Sequence, residues 1–475
     1  MVQRLLSIAK AHLALRFPYG LAFLLLCLIP SARADVAVLL EEPYSLDGRV
    51  AGTGHTAVYL SRICAVSPTV LRRCLPGEEG VVISRYHAVG NNDWFAIPLT
   101  AYLFAVEKPQ DIPLFADAKI VAALRDRYRR GHLESIAPDV NGGETPPGNW
   151  YELAGSAYDR TLYSFQLETS PAQDDAFIAY LNSRSNEAAY KFVTRNCADF
   201  VREVVHFYYP RAIGRNWISD LAVSTPKHAA KSFVKYARKH SDLQFSALII
   251  PQVPGTIKRS TPIHGVADTI FKAKKYEIPL LVFTPFVGAG VAIAYYTGGR
   301  FNPAHNAELL DPMGGIERPV NSAERKSYLA ALDEHLRTNP LLTAGDPALP
   351  AWREFVAHAE LALDREGRPV MRAHSEDGVL EVGISRGNLA NAGIAGDLTR
   401  QMLVARLRQE LRGSGAPKVS NTLARRDLLL LQKISSTEAQ ITTVSRTSAE
   451  STGIRERKLL SGSYVFYSQL IERWL

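Results

Sequence analysis

The chain has 475 residues, of which 47% are hydrophobic and 21% are charged. This composition is typical of a folded globular protein, and the length allows two or three domains with substantial cores. The first 34 residues hold four of the 55 basic side chains and no acidic one. The rest of the chain therefore has 51 basic and 47 acidic side chains, a net charge of +4. That small excess argues against nucleic-acid binding and is compatible with an anionic envelope surface.

The N-terminus has the pattern of a secretory signal peptide. Three basic residues precede nine apolar residues at 21–29, and Ala-Arg-Ala at 32–34 fits the small-x-small cleavage rule. We predict a signal peptide over residues 1–34, with an uncleaved N-terminal anchor as the alternative. Nine apolar residues are short for a transmembrane helix. We therefore expect an exported protein that is periplasmic or associated with the envelope membrane.

Short apolar runs separated by turn signals follow the predicted signal peptide. They lie at 36–40, 56–60, 81–86 and 95–104, and indicate strands or a strand followed by a short helix. A polar stretch from about 109 to 155 comes next. One more strand and three helices are predicted at 161–167, 171–182, 197–208 and 226–240. Together these elements predict an α+β fold.

The character of the chain changes beyond residue 251. Residues 278–296 are nearly free of charge and long enough to span a bilayer. We predict an apolar segment at 276–298 that either associates with a membrane or forms a buried hairpin or lid. The basic flank before it argues against spanning. Residues 300–475 are predicted to form a helix-rich domain of unknown role, with one hairpin around Asp377-Gly378.

The four cysteines divide by position. Cys27 lies inside the predicted signal peptide. Cys64 and Cys74 are close in sequence, and in an oxidising compartment we expect them to form a disulfide. A metal site there is the poorer alternative, because no second pair of ligands lies at a suitable spacing. This leaves Cys197 as an unpaired thiol in an exported chain.

Cys197 lies at the predicted start of a helix. Asn196 is a good N-cap, and the apolar spacing of the following residues predicts a helix with one buried face. Backbone N–H groups and the helix dipole stabilise a thiolate at such a position, so Cys197 is a candidate nucleophile. The alternative is a small buried core residue, because free cysteine is often fully buried.

A cysteine nucleophile needs a base, and His55 is the candidate. It follows Gly52-Thr53-Gly54 and opens the strand predicted at 56–60, where the glycines allow a tight turn. The alternative is a surface or hydrogen-bonded histidine at a strand end.

The two motifs together resemble a known family. Gly-His-Thr-Ala-Val-Tyr-Leu at 54–60 and Asn-Cys-Ala-Asp-Phe at 196–200 resemble the circularly permuted branch of the NlpC-type papain-like cysteine hydrolases, which includes the lecithin retinol acyltransferase relatives. In that branch the histidine strand precedes the cysteine helix, as it does here. The resemblance covers about 36–230. It implies a permuted papain-like domain over 35–250, with an antiparallel sheet and an insertion at about 109–155.

The resemblance also implies roles for individual residues. Cys197 would be the nucleophile, His55 the base, and a polar residue on the next strand would orient the imidazole. Ser84 and His87 are both candidates for that third role, and they point to opposite faces of an ideal strand. We prefer His87, because it can accept a hydrogen bond from the base. No cofactor or metal is expected.

Two classes of function are compatible with these features. The first is an exported cysteine hydrolase, either an amidase or peptidase or an acyltransferase, that acts on cell-envelope peptides or lipid acyl groups. The second is a non-catalytic envelope protein that retains the fold for binding or anchoring. In both, the expected partners are envelope peptides or lipids, with membrane association through residues 278–296 and without nucleic acid.

Overall fold

The computed structural model describes two long parts of the chain. The first is 35–264, with gaps at 47–48, 52–53, 88, 189, 192–193 and 215–223. The second is 300–451, with gaps at 313–314, 342–349, 376–377, 390–392 and 413–418; residues 286, 289 and 293 are described between the two parts. The predicted signal peptide lies outside the described residues, as does the apolar segment 276–298 apart from those three.

Fifteen strands lie within the described residues: β1 (Asp35–Glu41), β2 (Tyr44–Leu46), β3 (Arg49–Ala51), β4 (His55–Leu60), β5 (Ile63–Ser67), β6 (Val70–Arg73), β7 (Val81–Ser84), β8 (Phe95–Pro98), β9 (Leu162–Glu168), β10 (Phe245–Ile250), β11 (Glu308–Asp311), β12 (Gly315–Glu317), β13 (Glu360–Leu363), β14 (Pro369–Ser375) and β15 (Gly378–Gly383).

The same residues form ten α-helices: α1 (Leu99–Phe104), α2 (Ala118–Tyr128), α3 (Ser156–Asp159), α4 (Pro171–Asn182), α5 (Cys197–Tyr208), α6 (Pro226–Lys239), α7 (Ser322–Thr338), α8 (Pro350–His358), α9 (Gly393–Arg412) and α10 (Asn421–Ser451). None of these helices is long and apolar enough to cross a membrane. The α+β class predicted from the sequence is confirmed.

An eight-stranded sheet organises the molecule, in the order β12-β11-β10-β9-β1-β4-β7-β8. Its neighbours pair antiparallel except β10 and β11, which are parallel. The central strand β1 is buried on both faces, because its residues alternate between two cores. Val36, Val38 and Leu40 belong to one core, and Leu39 belongs to the other.

Different parts of the chain cover the two faces of the sheet. Helices α4, α5 and α6 pack on the face of Val36. The opposite face is covered by α1 to α3 together with the region beyond residue 300. The rings of Phe115 and Trp352 meet edge to face at 6.3 Å, and Arg406 Nη1 donates to Leu114 O at 2.7 Å.

This arrangement joins segments that the sequence analysis placed in separate domains. Strands β11 and β12 extend the main sheet beyond the expected boundary at residue 250. The stretch 109–155 lies in one core with the C-terminal helices. A sheet whose strands are apolar on both sides needs cover on both faces, and the C-terminal region supplies part of that cover.

The N-terminus of α5 is fixed by a capping box. Asn196 Oδ1 accepts from the N–H groups of Ala198 at 2.9 Å and Asp199 at 3.0 Å, and Asp199 Oδ2 accepts from the Asn196 N–H at 3.3 Å. The apolar face of the helix is buried as its spacing predicts. Cys197 is therefore held as the first residue of a helix that packs against β4.

The predicted disulfide is confirmed. Cys64 and Cys74 are bonded and join β5 to the residue after β6. Cys197 is free and buried. The bond fixes the hairpin that follows β4 in the chain.

Replacing Cys64 and Cys74 together by alanine should lower the free energy of unfolding by about 2–3 kcal/mol, because the bond removes loop-closure entropy from the unfolded chain. Urea denaturation of the oxidised protein and the double variant measures the difference. Reductant should bring the parent protein to the stability of the variant and leave the variant unchanged. A parent protein whose stability is indifferent to reductant would contradict this.

Candidate active site

His55 follows a turn at Gly54 whose backbone conformation and close packing leave no room for a side chain. Gly54 has φ of +72°, and a Cβ there would lie 2.3 Å from the backbone oxygen of Glu41. The chain therefore passes close to β1 before β4 begins, and His55 pairs directly with Glu41 across the two strands. This close approach fixes the position of the histidine backbone.

Two neighbours hold the His55 ring. The ring stacks on Tyr86, with centroids 4.7 Å apart and planes at 21°. Its Nε2 lies 2.8 Å from Ser84 Oγ. The Ser84 hydroxyl donates its proton to Thr56 O at 3.0 Å, so it accepts from His55 Nε2–H. The neutral imidazole then carries its proton on Nε2 and leaves Nδ1 as the basic nitrogen.

Ser84, rather than His87, is the candidate that contacts the imidazole. Strand β7 ends at Ser84, so the alternation assumed for His87 does not extend to it. The His87 ring instead meets Tyr190 edge-on at 5.5 Å. β7 is an interior strand of the sheet, since β4 and β8 lie on either side of it. Of the two candidates for the orienting role, the geometry therefore favours Ser84 over the expected His87.

Cys197, the first residue of α5, lies close to the start of β4. Its sulfur is within hydrogen-bonding reach of the N–H groups of Thr56 and Ala198, which puts it beside the residue that follows His55. Among the described hydrogen bonds, none joins the thiol to the imidazole. Residues of β4 alternate between the two cores, and His55 shares the face of Ala57, opposite the core that contains Ala198.

Burial keeps both groups neutral. Burial raises the pKa of the Cys197 thiol to about 12; the two N–H groups lower it only in part, and the charge of Glu41 raises it further. Burial, together with the charge of Arg160, lowers the pKa of His55 to about 3. The helix N-terminus that favoured a thiolate in the sequence analysis is present. Desolvation of the charged form outweighs it.

A buried ionic cluster lies beside this pair. Glu41 and Arg160 form an ion pair at 3.3 Å, and both are almost completely buried. Tyr102 donates a hydrogen bond to Glu41, and the Arg160 guanidinium lies 4.5 Å from the centre of the Tyr44 ring. Sequence reasoning missed this cluster, because its members look like ordinary charged residues at the ends of predicted strands.

A second ion-pair network ties β7 to the cap of α5. Arg85 and Arg195 both contact Asp93, at 2.6 Å and 2.7 Å. Arg85 Nη1 also donates to the Asn196 backbone oxygen at 3.3 Å, and its guanidinium lies 5.0 Å from the centre of the Phe200 ring. This network fixes the N-terminus of α5 relative to the strand that carries Ser84.

Comparison with protein-family models, curated proteins and solved structures gives no match for this chain. Among the described residues, the group of side chains that could hold a metal ion is Cys64, Cys74 and Glu78. The two sulfurs of that group are joined to each other in the disulfide, so they are not thiolate ligands. The reactive groups described at the candidate site are the Cys197 thiol and the His55 imidazole.

The lowered pKa of His55 predicts a dependence of stability on pH. The unfolded chain binds a proton at this residue below about pH 6.5, and the folded chain does so only near pH 3, so stability is lost as pH falls through that window. From pH 7.5 to 4.5 the parent should lose about 2–3 kcal/mol more than His55→Gln. Urea denaturation at both pH values measures this.

A matched control is His374→Gln, because His374 is exposed on β14. This variant should lose as much stability as the parent between the two pH values. An equal loss in His55→Gln and the parent would show that His55 titrates normally in the folded protein.

The raised pKa of the thiol predicts slow alkylation. The rate at which iodoacetamide labels Cys197 in the folded protein should keep rising up to about pH 9.5, because the thiolate is scarce below its pKa of about 12. Intact-mass measurement of the labelled fraction gives the rate. The urea-unfolded protein is the control, with a rate that is half-maximal near pH 8.5 and levels off above it. A plateau below pH 8.5 in the folded protein would contradict the prediction.

Proposed function

We propose that this chain is an exported cysteine hydrolase or acyltransferase that acts on cell-envelope peptides or lipid acyl groups. The observation that carries the proposal is the position of the Cys197 sulfur. It lies at the N-terminus of α5 and at the N–H of Thr56, one residue from His55. The order of histidine strand and cysteine helix, which resembles the permuted NlpC-type branch, supports the same assignment. The disulfide supports export, because such bonds persist in oxidising compartments.

The proposed reaction is acyl transfer through a thioester. The Cys197 sulfur attacks the substrate carbonyl carbon while His55 Nδ1 takes the thiol proton. The tetrahedral intermediate then expels an amine or alcohol, which receives that proton from the imidazolium. Water, or a second acceptor, attacks the thioester carbon and releases the acyl group and the thiol. Ser84 supports the base by accepting from Nε2–H, which keeps Nδ1 available.

The Cys197 N–H is the candidate stabiliser of the developing oxyanion, because the N–H groups of Ala198 and Asp199 already donate to Asn196 Oδ1. The Tyr190 phenol lies within hydrogen-bonding reach of the Cys197 N–H. A substrate oxygen that takes this N–H therefore has to displace the phenol. The proposed proton transfer requires the His55 imidazole to leave its described contacts with Tyr86 and Ser84 and to approach the thiol in the complex with substrate.

A second candidate function is a non-catalytic envelope protein that retains the fold for binding or anchoring. It is favoured by the state of the thiol, which is 6% exposed and has a pKa raised to about 12 by burial. The lack of a described thiol–imidazole hydrogen bond points the same way. In this case Cys197 is a small core residue that packs between α5 and the sheet.

Site variants distinguish the two functions and the two orienting candidates. Cys197→Ala and His55→Ala should each lower turnover by about 10²–10⁴-fold, because one removes the nucleophile and the other the base. Ser84→Ala should cost more turnover than His87→Ala, since Ser84 contacts the imidazole. Mass spectrometry of peptidoglycan fragments and of fatty acid released from phospholipid vesicles measures turnover.

The matched control is the Cys64→Ala and Cys74→Ala double variant, which should keep full turnover at temperatures where it stays folded. Unchanged turnover in Cys197→Ala would overturn the enzyme proposal. A parent protein that binds these envelope components without converting them would favour the binding protein instead.

A further inference from the structure

Three described residues of the apolar segment form an exposed stripe. Phe286, Ala289 and Ile293 have helical backbone conformation, and their spacing of three and four positions puts their side chains on one helix face. Phe286 is 91% exposed and Ile293 is 62% exposed. Among the described residues, Phe286 is the most exposed of the large hydrophobic side chains. The rest of the chain therefore leaves most of this stripe uncovered.

These exposures disfavour one of the two states expected for the segment. A buried hairpin or lid would enclose its large side chains, whereas a segment that associates with a membrane leaves them accessible until a bilayer is present. Single exposed hydrophobic residues are common on protein surfaces. Phe286 and Ile293, however, belong to a stretch, 278–296, that has no charged residue. The stripe is therefore more than a scattered surface residue.

The sequence around the stripe indicates a lipid bilayer, rather than another protein, as the partner. The 19 uncharged residues of 278–296 are sufficient to cover the hydrocarbon core of a bilayer, whereas protein interfaces have a polar rim. Tyr276 precedes this stretch, and Tyr295 and Tyr296 end it. Tyrosine is enriched where a membrane meets water, so both ends of the stretch suit a membrane interface.

The flanks of the stretch carry an excess of positive charge. The ten residues before 278 and the ten after 296 together hold four lysine or arginine residues and two acidic ones, a net charge of +2. This charge favours anionic lipid head groups. Basic residues on the predicted exported side oppose crossing of the bilayer. They are compatible with a segment that enters one leaflet from that side and remains there.

We propose that the stripe of Phe286, Ala289 and Ile293 docks into one leaflet of a lipid bilayer that contains anionic lipids. Phe286 and Ile293 contact the acyl chains, and the basic flanks contact the head groups. This docking holds the chain at a membrane surface. The inference goes beyond the activity proposed for Cys197 and applies equally to a non-catalytic envelope protein.

Photocrosslinking of the full chain tests this contact at a single residue. Phe286 is replaced by p-benzoylphenylalanine, an aromatic side chain that reacts with nearby C–H bonds on irradiation. With vesicles of phosphatidylethanolamine and phosphatidylglycerol, peptide mapping by mass spectrometry should find a lipid adduct at position 286. A readout at one residue is independent of any other membrane contact, including one made by the predicted signal peptide.

The matched control places the same photoreactive residue at Val379, which is 53% exposed on β15. Its yield of lipid adduct should be at least about tenfold lower, because only the stripe lies among acyl chains.

A second substitution tests whether the whole stripe enters the bilayer. Ile293→Glu in the chain that is photoreactive at position 286 should lower the yield of adduct at least about tenfold, because a charged side chain is costly in hydrocarbon. Leu363→Glu is the matched control, since Leu363 is 42% exposed on β13, and it should leave the yield unchanged. Thermal unfolding checks that each variant folds.

Three outcomes would overturn the proposal: no lipid adduct at position 286, an equal yield at position 379, or a yield that Ile293→Glu leaves unchanged. A crosslink from position 286 to a second copy of the chain, in place of lipid, would also overturn it and assign the stripe to a protein interface. If Ile293→Glu fails to fold, the comparison of positions 286 and 379 still decides the question.

Discussion

The contact between the start of β4 and the N-terminus of α5 is the constraint on which the candidate site depends. One strand supplies both His55 and the Thr56 N–H that lies at the Cys197 sulfur. Gly54 permits it, because any side chain there would collide with the backbone of β1. The capping box at Asn196 and the Arg85 network fix the helix end from the other side. The described geometry of the site is thus set by the sheet together with the capped end of α5.

Burial on both faces of the sheet explains the electrostatics of the site. The central strands bury apolar residues in two cores, and the region beyond residue 300 helps to cover one of them. His55 and Cys197 consequently lie in a poorly solvated environment that favours their neutral forms. The same packing leaves the ion pair of Glu41 and Arg160 beside them, and its charges act on both groups.

Local signals in the sequence were sufficient for several parts of this structure. The apolar spacing and N-cap of α5, the strand that begins at His55 and the pairing of Cys64 with Cys74 are all found as predicted. Non-local features were not predictable in this way. The parallel pairing of β10 with β11 joins Leu248 to Glu308, 60 positions later in the chain, and no local pattern reveals it. The preference for His87 over Ser84 depended on where β7 ends, and strand ends are poorly defined by sequence.

The most direct test of this account is nuclear magnetic resonance of the protein labelled with ¹⁵N-histidine. The account predicts that His55 is a neutral imidazole protonated at Nε2, and that it does not titrate between pH 4.5 and 8, because burial holds its pKa near 3. Replacement of Ser84 by alanine should then change the Nε2 signal, whereas replacement of His87 should not. A His55 that titrates near pH 6.5, or carries its proton on Nδ1, would contradict the account.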